Sequence, residues 1–194
     1  MKSLFALLFV IAALPAHAAS GTFVDKDNGV SLAPPIGWVV MAPSPDQVQG
    51  DVATRRQRIV QIAKYPADHE GPNPSFVMSV QPLPFAARGG KPSELVRQLI
   101  PNLRGALTDL VFEIQPRDVT VHDTGANGSL PGGEMIFRHT AKDSAGNPYP
   151  ARSRMMYIVR RDQLFAVQTT APASGPDAAD AELREIVASI RLIP

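Results

Sequence analysis

Arginine is the side chain whose number and spacing in this sequence most strongly suggest a binding surface. Guanidinium groups bind carboxylates and phosphates through paired hydrogen bonds, so arginines gathered on one face could receive an anion or an acidic partner surface. The alternative is a solvated strand end in which Asp143, Asp162 and Glu134 balance the charge and nothing binds. The candidate residues all lie on two predicted C-terminal hairpins: Arg138, Arg152, Arg154, Arg160 and Arg161.

Histidine, serine and cysteine show no comparable pattern. His69, His122 and His139 are dispersed, and none stands three or four residues from another ligand as zinc-binding helices require. The sequence contains no cysteine, nucleophile elbow, Walker loop or dinucleotide glycine motif. We therefore predict no catalytic residue, no metal and no cofactor. A hydrolase or a small anionic ligand-binding protein that combines the arginines with His139 or His122 is the alternative.

Residues 1–18 have the composition of a signal peptide. Lys2 provides the positive charge, residues 4–14 form an apolar stretch, and Ala16 and Ala18 complete a small-x-small cleavage pattern. The apolar stretch is shorter than the roughly 20 residues of a membrane span. We expect cleavage after Ala18, no stable membrane insertion, and a periplasmic protein whose residues 19–194 form a single globular domain.

The charge balance argues against nucleic acid as a partner. Lysine and arginine together number 19 against 18 aspartates and glutamates, and loss of Lys2 with the signal brings the formal net charge to zero. Because such a protein has no long-range attraction for polyanions, we expect a protein partner in the cell envelope. Oligomeric state leaves no mark in the sequence.

Two helices are predicted to cover a sheet made of short strands. An apolar stripe at three- and four-residue spacing runs over residues 93–110, with Ser93 as its N-cap and a kink near Pro101. Residues 177–190 repeat the pattern and begin with acidic side chains, which the helix dipole favours. The fold class is therefore α+β: an α/β/α sandwich with a central, mostly antiparallel sheet and helices on both faces.

The last two hairpins show why cover is needed on both faces. Gly132 and Gly133 are interpreted as loop residues, and strands are predicted at residues 134–142, 151–160 and 163–170. The final pair is apolar on both faces, and such strands must be buried on both. We assign one face to Met155, Tyr157, Val159, Phe165 and Val167, and the other to Met156, Ile158, Leu164 and Ala166.

Residues 29–38 hold the only tryptophan and a double proline. Pro34 and Pro35 cannot donate hydrogen bonds to a strand ladder, so the edge strand that precedes them must end there. Gly37 then allows the chain to turn and Trp38 to enter the core. We interpret this stretch as a structural corner and not as a recognition loop.

The same corner resembles the opening of PsbP-like and Mog-type domains, in which a short strand, proline and glycine precede an aromatic residue. Residues 157–170 and 186–190 are similar to the closing hairpin and helix of that family. The resemblance implies an α/β/α sandwich and a chiefly non-enzymatic role. The family includes a photosystem accessory protein, a Ran-binding protein and bacterial envelope proteins such as the DcrB-like group. The residues that carry the resemblance at the corner are Asp27-Asn28-Gly29-Val30-Ser31-Leu32 and Pro35-Ile36-Gly37-Trp38.

This chain departs from that pattern in one respect, since many bacterial members are lipoproteins and no cysteine is present here. No partner-binding or metal-binding residue of the family can be matched. The sequence thus favours a non-catalytic periplasmic binding or assembly-accessory protein that acts through protein–protein contacts. An immunity-type inhibitor of a secreted toxin fits the compartment and the size equally well.

Overall fold

Antiparallel strands dominate the architecture. The computed structural model describes residues 17–18, 21–41, 48–49, 56–84, 87–122, 128–174 and 178–192. Its strands are β1 His17–Ala18, β2 Phe23–Asp25, β3 Val30–Leu32, β4 Val39–Met41, β5 Val48–Gln49, β6 Arg56–Ala63, β7 Ser75–Pro82, β8 Thr108–His122, β9 Ser129–Lys142, β10 Pro148–Arg160, β11 Gln163–Pro172 and β12 Arg191–Leu192. Its helices are α1 Pro92–Arg97, α2 Ile100–Ala106 and α3 Ala178–Ser189.

The large sheet runs in the order β1-β4-β6-β7-β11-β10-β9-β8, with β5 also paired to β6. Every described pairing in it is antiparallel. A smaller sheet has the order β12-β3-β2. The predicted α+β class with a mostly antiparallel sheet agrees with this arrangement, although strands outweigh helices more than the sequence suggested. Residues 1–16 of the predicted signal peptide lie outside the described residues.

Both predicted C-terminal hairpins are present, and the register of the second corrects the predicted faces. Ile158 lies opposite Phe165, and Tyr157 lies opposite Ala166, across a turn at residues 161–162. Directly opposed residues share a face. The assignment of the β11 side chains was therefore wrong. Across the two-residue turn, even-numbered residues of β10 lie on the same face as odd-numbered residues of β11. One face carries Met156, Ile158, Phe165 and Val167, and the other carries Met155, Tyr157, Val159, Leu164 and Ala166.

A bulge in β6 interrupts the alternation in a second place. The pairing with β7 shifts between Arg58 and Val60, so one residue is added to the strand. Ile59 and Val60 consequently both enter the main core. Arg58 and Gln61 are left together on the opposite face, where their side chains are joined by a hydrogen bond of 3.0 Å.

The corner at residues 29–38 anchors the small sheet to the main core. The Trp38 backbone N–H donates to the Pro35 carbonyl at 3.2 Å, and Gly37 has a φ of 88° that suits glycine. Trp38 is 1% exposed, as the structural interpretation requires. Its indole Nε1 has no hydrogen-bond partner among the described residues, so the ring stabilises the fold by packing. β3 is however the middle strand of its sheet, and the prediction of an edge strand was wrong.

The predicted helix at residues 93–110 is two short helices followed by a strand. Pro101 has no N–H and its ring clashes with the carbonyl four residues earlier, so α1 ends at Arg97. Proline is tolerated in the first turn of a helix, and Pro101 lies in the first turn of α2, which begins at Ile100. Leu107 is extended and β8 follows it. Leu107 and Leu110 still pack on the Val96 cluster, so the apolar stripe predicted burial correctly and conformation incorrectly.

The start of α1 is held by the sheet below it. Ser93 is buried inside the first turn and is not the N-cap, which is Lys91 and makes no side-chain cap. The Ser93 backbone N–H donates instead to the Asp118 carboxylate of β8 at 3.0 Å. Hydrogen bonds from the Ser93 side chain and backbone lower the pKa of Asp118. A carboxylate from a neighbouring strand thus supplies the negative charge that a helix N-terminus favours.

Close packing of α1 on β9 depends on a glycine. A Cβ atom on Gly133 would lie 2.5 Å from both the Pro92 carbonyl oxygen and the Ser93 backbone nitrogen. Gly132 and Gly133 are residues of β9, paired with Ile158 and Tyr157 of β10. The prediction that they are loop residues was therefore wrong, because both lie in the strand, where Gly133 lets the helix approach.

Helix α3 matches its prediction closely and is fastened at several points. Leu183, Ile186 and Ile190 are buried in the main core with residues of β7, β10 and β11. Glu182 accepts a hydrogen bond from Lys64 at 2.6 Å. The hydroxyl of Ser189 accepts one from the Ala33 backbone N–H at 2.9 Å, which ties the helix to the corner.

Strand β8 forms an edge of the large sheet over its full length. Its pairing with β9 shifts register three times, at residues 108–111, 112–114 and 114–117. Asp109 has a φ of 55°, and Pro116 stands within the strand. The predicted strands at residues 111–115 and 119–122 are therefore one irregular strand.

Replacement of Trp38 with Ala should lower the free energy of unfolding by about 3–5 kcal/mol, as for a buried aromatic side chain. Chemical denaturation of the two proteins measures the difference. Ile36→Ala is the matched control, because Ile36 is 93% exposed in the same corner and its loss should change stability by less than about 0.5 kcal/mol. A Trp38→Ala variant as stable as the parent would contradict the structural role of the corner.

Replacement of Gly133 with Ala should destabilise the contact between α1 and β9, because the added methyl group forces the helix to shift. Gly105→Ala in α2 is the control, since its Cβ would meet no atom within 4 Å and alanine favours a helix by about 1 kcal/mol. Thermal unfolding should separate the two variants in opposite directions. Equal melting temperatures would show that α1 accommodates the methyl group.

Candidate partner-binding surface

The structure brings three of the five predicted arginines together. Arg138 of β9 lies directly opposite Arg152 of β10, so their side chains share one face of the sheet. Arg154 follows two residues after Arg152 and therefore lies on the same face. This face is the one that α3 covers further along the sheet.

The other two predicted arginines lie at the far end of the hairpin. Met156 and Ile158 are both buried and separate the first group from Arg160, the last residue of β10. Arg161 is exposed in the turn that follows, with a φ of 54°. The five arginines therefore form two groups, and only the group around Arg152 makes a continuous surface.

Carboxylates from other elements hold this group in place. Glu113 of β8 forms ion pairs with both Arg138 and Arg152, the second at 2.7 Å. Arg152 also donates to Asp180 of α3 at 2.8 Å. Asp180 pairs in turn with Arg184 at 2.8 Å. One strand edge, the hairpin and the helix thus share a continuous ion-pair network.

A further carboxylate, Glu134 of β9, adds a second cluster to the network. Arg117 donates to it through Nε at 2.9 Å, and Arg154 lies at 3.6 Å from its other oxygen. We call this whole group the arginine surface. It consists of Arg117, Arg138, Arg152, Arg154, Arg184, Glu113, Glu134 and Asp180.

The predicted charge balance is realised by a different set of acids. Of the three predicted residues, Glu134 contacts the arginines. Asp143 instead accepts hydrogen bonds from the backbone of its own turn, at residues 145 and 147. Glu113 and Asp180 could not be found by sequence spacing, because they come from an irregular strand and from the first turn of a distant helix.

The two signs of charge are layered. The innermost carboxylate is Glu134, with a side chain that is 5% exposed, while Glu113 and Asp180 lie at 22% and 28%. Arg152 and Arg154 lie at the same depth, at 28% and 21%. Arg117, Arg138 and Arg184 lie outermost, with side chains that are 57%, 62% and 58% exposed. A partner that approaches this surface therefore meets guanidinium groups first, and these are pre-positioned by the acids below them.

Among the acids of the surface, Glu113 has a pKa that is held down by its arginine partners. Burial alone would raise the pKa of Glu113, but hydrogen bonds and attraction from Arg152 and Arg138 outweigh it and hold the pKa below its usual range. The ion pairs of Glu113 therefore persist at neutral and mildly acidic pH. Their arginines remain charged throughout, since guanidinium does not lose its proton in proteins.

His139 lies on the opposite face of the sheet from Arg138, because neighbouring residues of a strand alternate. Its Nε2 is 3.0 Å from the Ser153 hydroxyl, which is 3.0 Å from the Thr170 hydroxyl. Its Nδ1 is 3.2 Å from the Thr140 carbonyl, which can only accept, so Nδ1 carries the proton. Ser153 is buried and cannot meet a substrate. The alternative site that combines the arginines with His139 is therefore not formed.

The remaining histidines contribute no described site. His69 stacks on Tyr65 with ring centroids 4.1 Å apart, and the side chain of His122 lies outside the described residues. Within the described ranges, no group of three or more histidine, aspartate or glutamate side chains is arranged to hold a metal ion. No described helix is long and apolar enough to cross a membrane.

Comparison with known proteins gives a likeness of fold. No protein-family model matches the sequence, and no curated protein sequence matches it significantly. The solution structure of cyanobacterial PsbP (CyanoP) from Synechocystis superposes with a TM-score of 0.57 at 10% identity, over 95% of this chain and 98% of its own. The fold is PsbP-like. The predicted resemblance to PsbP-like domains is thereby confirmed at the level of the fold.

Two further solved structures are similar over most of their length. PA94 from Pseudomonas aeruginosa, a protein of unknown function, gives a TM-score of 0.50 at 13% identity, over 90% of this chain and 96% of its own. The Ran-binding protein Mog1p from Saccharomyces cerevisiae gives 0.46 at 10% identity, over 91% and 97%.

The stability of the protein should fall as the pH is lowered through the titration of His139. Burial, partly offset by the hydrogen bond to Thr140, lowers the pKa of His139, so the unfolded state binds its proton first. This contribution to stability is complete above the unfolded pKa of about 6.5 and declines below it, by at most about 1.4 kcal/mol per pH unit. Chemical denaturation between pH 8 and pH 5 measures it.

His139→Gln should flatten this pH dependence, whatever its own effect on stability. His69→Gln is the matched control for the loss of a histidine, since His69 lies in a loop, where its ring stacks on Tyr65. A slope that persists in His139→Gln would assign the pH dependence to another group.

Proposed function

We propose that this chain is a non-catalytic, periplasmic binding or assembly-accessory protein that engages an acidic partner protein through the arginine surface. The observation that carries the proposal is the layering of charge, with less exposed acids that hold three outer guanidinium groups in place. Side chains held in this way lose less conformational entropy on binding than free arginines do. Arginine is also enriched at protein interfaces, where it pairs with carboxylates.

The compartment in this proposal comes from the sequence. Residues 1–18 have the pattern of a cleavable signal, and residues 19–194 are proposed as the single mature domain. The non-catalytic role is supported by the lack of a recognised catalytic motif and by the family resemblance. It is also supported by the separation of His139 from the arginines.

A helix–sheet–helix sandwich is the layering that we propose for this domain. Leu95 of α1 clusters with Leu164, while Leu183 and Ile186 of α3 cluster with Phe165. Leu164 and Phe165 are neighbours in β11 and point to opposite faces, which supports helices on both sides of the sheet. The arginine surface then lies beside α3, where a partner could contact helix and sheet together.

Loss of the exposed arginines should weaken partner binding without unfolding the protein. The test variant combines Arg117→Ser, Arg138→Ser and Arg184→Ser, and a tagged parent is used to capture partners from envelope extract for identification by mass spectrometry. Affinity for the isolated partner should fall at least tenfold in the variant. In the parent it should decrease with added salt, because exposed charges are screened.

Arg97→Ser is the matched control, since Arg97 is 57% exposed on α1 and lies 3.7 Å from Glu94. Its affinity should equal that of the parent. Equal binding by the triple variant would exclude the arginine surface as the interface. Failure to recover a reproducible partner, together with measurable hydrolase turnover, would overturn the non-catalytic proposal itself.

A further inference from the structure

A pair of arginines that the sequence analysis did not predict as a site lies on the face of the sheet opposite to the arginine surface. Arg56 and Arg58 are two residues apart in β6, ahead of the bulge, and both are half-buried. Arg58 lies directly opposite Ser79 of β7, and Arg56 donates through Nε to the Ser79 hydroxyl at 2.8 Å. The two guanidinium groups are thus held on one small area of the sheet.

This pair differs from the arginine surface because no carboxylate of the described residues forms an ion pair with it. Arg117, Arg138 and Arg152 each contact a carboxylate. Within the described part of the chain, the hydrogen bonds of Arg56 and Arg58 go to the neutral side chains at positions 79 and 61. Most of their N–H donors consequently have no protein acceptor among the described residues.

Burial and the proximity of the two positive charges make the charged form of Arg58 less favourable. Burial, and then the like charge of Arg56, lower the pKa of Arg58 from its usual value. Two half-buried cations with no carboxylate partner among the described residues repel each other, whereas an oxyanion between them would remove the repulsion and accept the spare hydrogen bonds. Such an arrangement is typical of a site that receives its negative charge from a ligand.

The residues beside the pair suit a small ligand. A cross-strand row runs from Arg58 through Ser79 and Ala166 to Tyr157, so two small side chains separate a cation from a phenol. Neighbouring strands are about 4.8 Å apart, so about 14 Å separates the backbones that carry Arg58 and Tyr157. Ser79 and Ala166 between them are buried. Burial raises the pKa of Tyr157 despite the opposing charge of Arg56, so the phenol stays protonated and can donate.

We propose that Arg56, Arg58 and Tyr157 form a binding site for a small solute that carries a phosphate or carboxylate group, with the buried Ser79 hydroxyl holding Arg56 in place. Helix α1 packs chiefly on β8, β9 and β10, so among the described helices it does not cover the β6 end of this face. The site is separate from the arginine surface, which lies on the other face of the sheet. The two can therefore be tested independently.

Isothermal titration calorimetry of the full protein with inorganic phosphate, and separately with succinate, tests the site at constant ionic strength. At least one of the two should bind and raise the melting temperature, since a ligand that binds only the folded state stabilises it. Arg56→Met and Arg58→Met should each weaken that binding at least tenfold. The two titrations distinguish a phosphate ligand from a carboxylate ligand.

The variants should remain folded, because removal of one cation relieves the repulsion within the pair. Their melting temperatures without ligand should equal or exceed that of the parent. Arg97→Met and Arg138→Met are controls that should bind like the parent. Binding of neither anion, or equal binding in Arg56→Met and Arg58→Met, would overturn the proposal.

Discussion

The register between β10 and β11 is the constraint on which the rest of the structure depends. It places Ile158 beside Phe165 on one face and Tyr157 beside Ala166 on the other. A shift of one residue would move every side chain of β11 to the opposite face. The two faces carry different sets of apolar side chains, and each set packs against its own helix. The shift would therefore leave the side chains of α3 and α1 without matching surfaces. The position of each helix is therefore decided at the centre of the sheet.

The same register explains why two kinds of arginine site lie back to back. On the α3 side, the even-numbered residues of β10 present Arg152 and Arg154 next to a buried core, where their charges are balanced by carboxylates. On the other side, small residues of β7 and β11 continue the row that begins at Arg58. One sheet thus carries a group of arginines paired with carboxylates and a pair that has no carboxylate partner among the described residues, and the difference lies in the acids that β8, β9 and α3 supply.

Local patterns predict most of this fold, whereas the sites depend on contacts between distant elements. Alternation, turn residues and an amphipathic stripe were enough for the hairpins, the burial of Trp38 and helix α3. Predictions were wrong where a single residue interrupted a periodic pattern. Pro101, for example, divides into two helices a segment whose apolar stripe is continuous. Arg138 and Arg152 were found because hairpin pairing is local, and Glu113 was missed because it reaches them from an irregular strand. The arginine pair of β6 was missed because the bulge after it interrupts the alternation from which the face of a residue is predicted.

The irregularity of β8 has a consequence for how copies of this chain can meet. Its outer margin is long enough to template a neighbouring strand, yet Pro116, the left-handed Asp109 and three changes of register interrupt the row of backbone donors and acceptors. Continuous main-chain zipping along this margin is thereby discouraged. Recognition at this end of the molecule is left to side chains, which distinguish one neighbour from another as backbone amides do not.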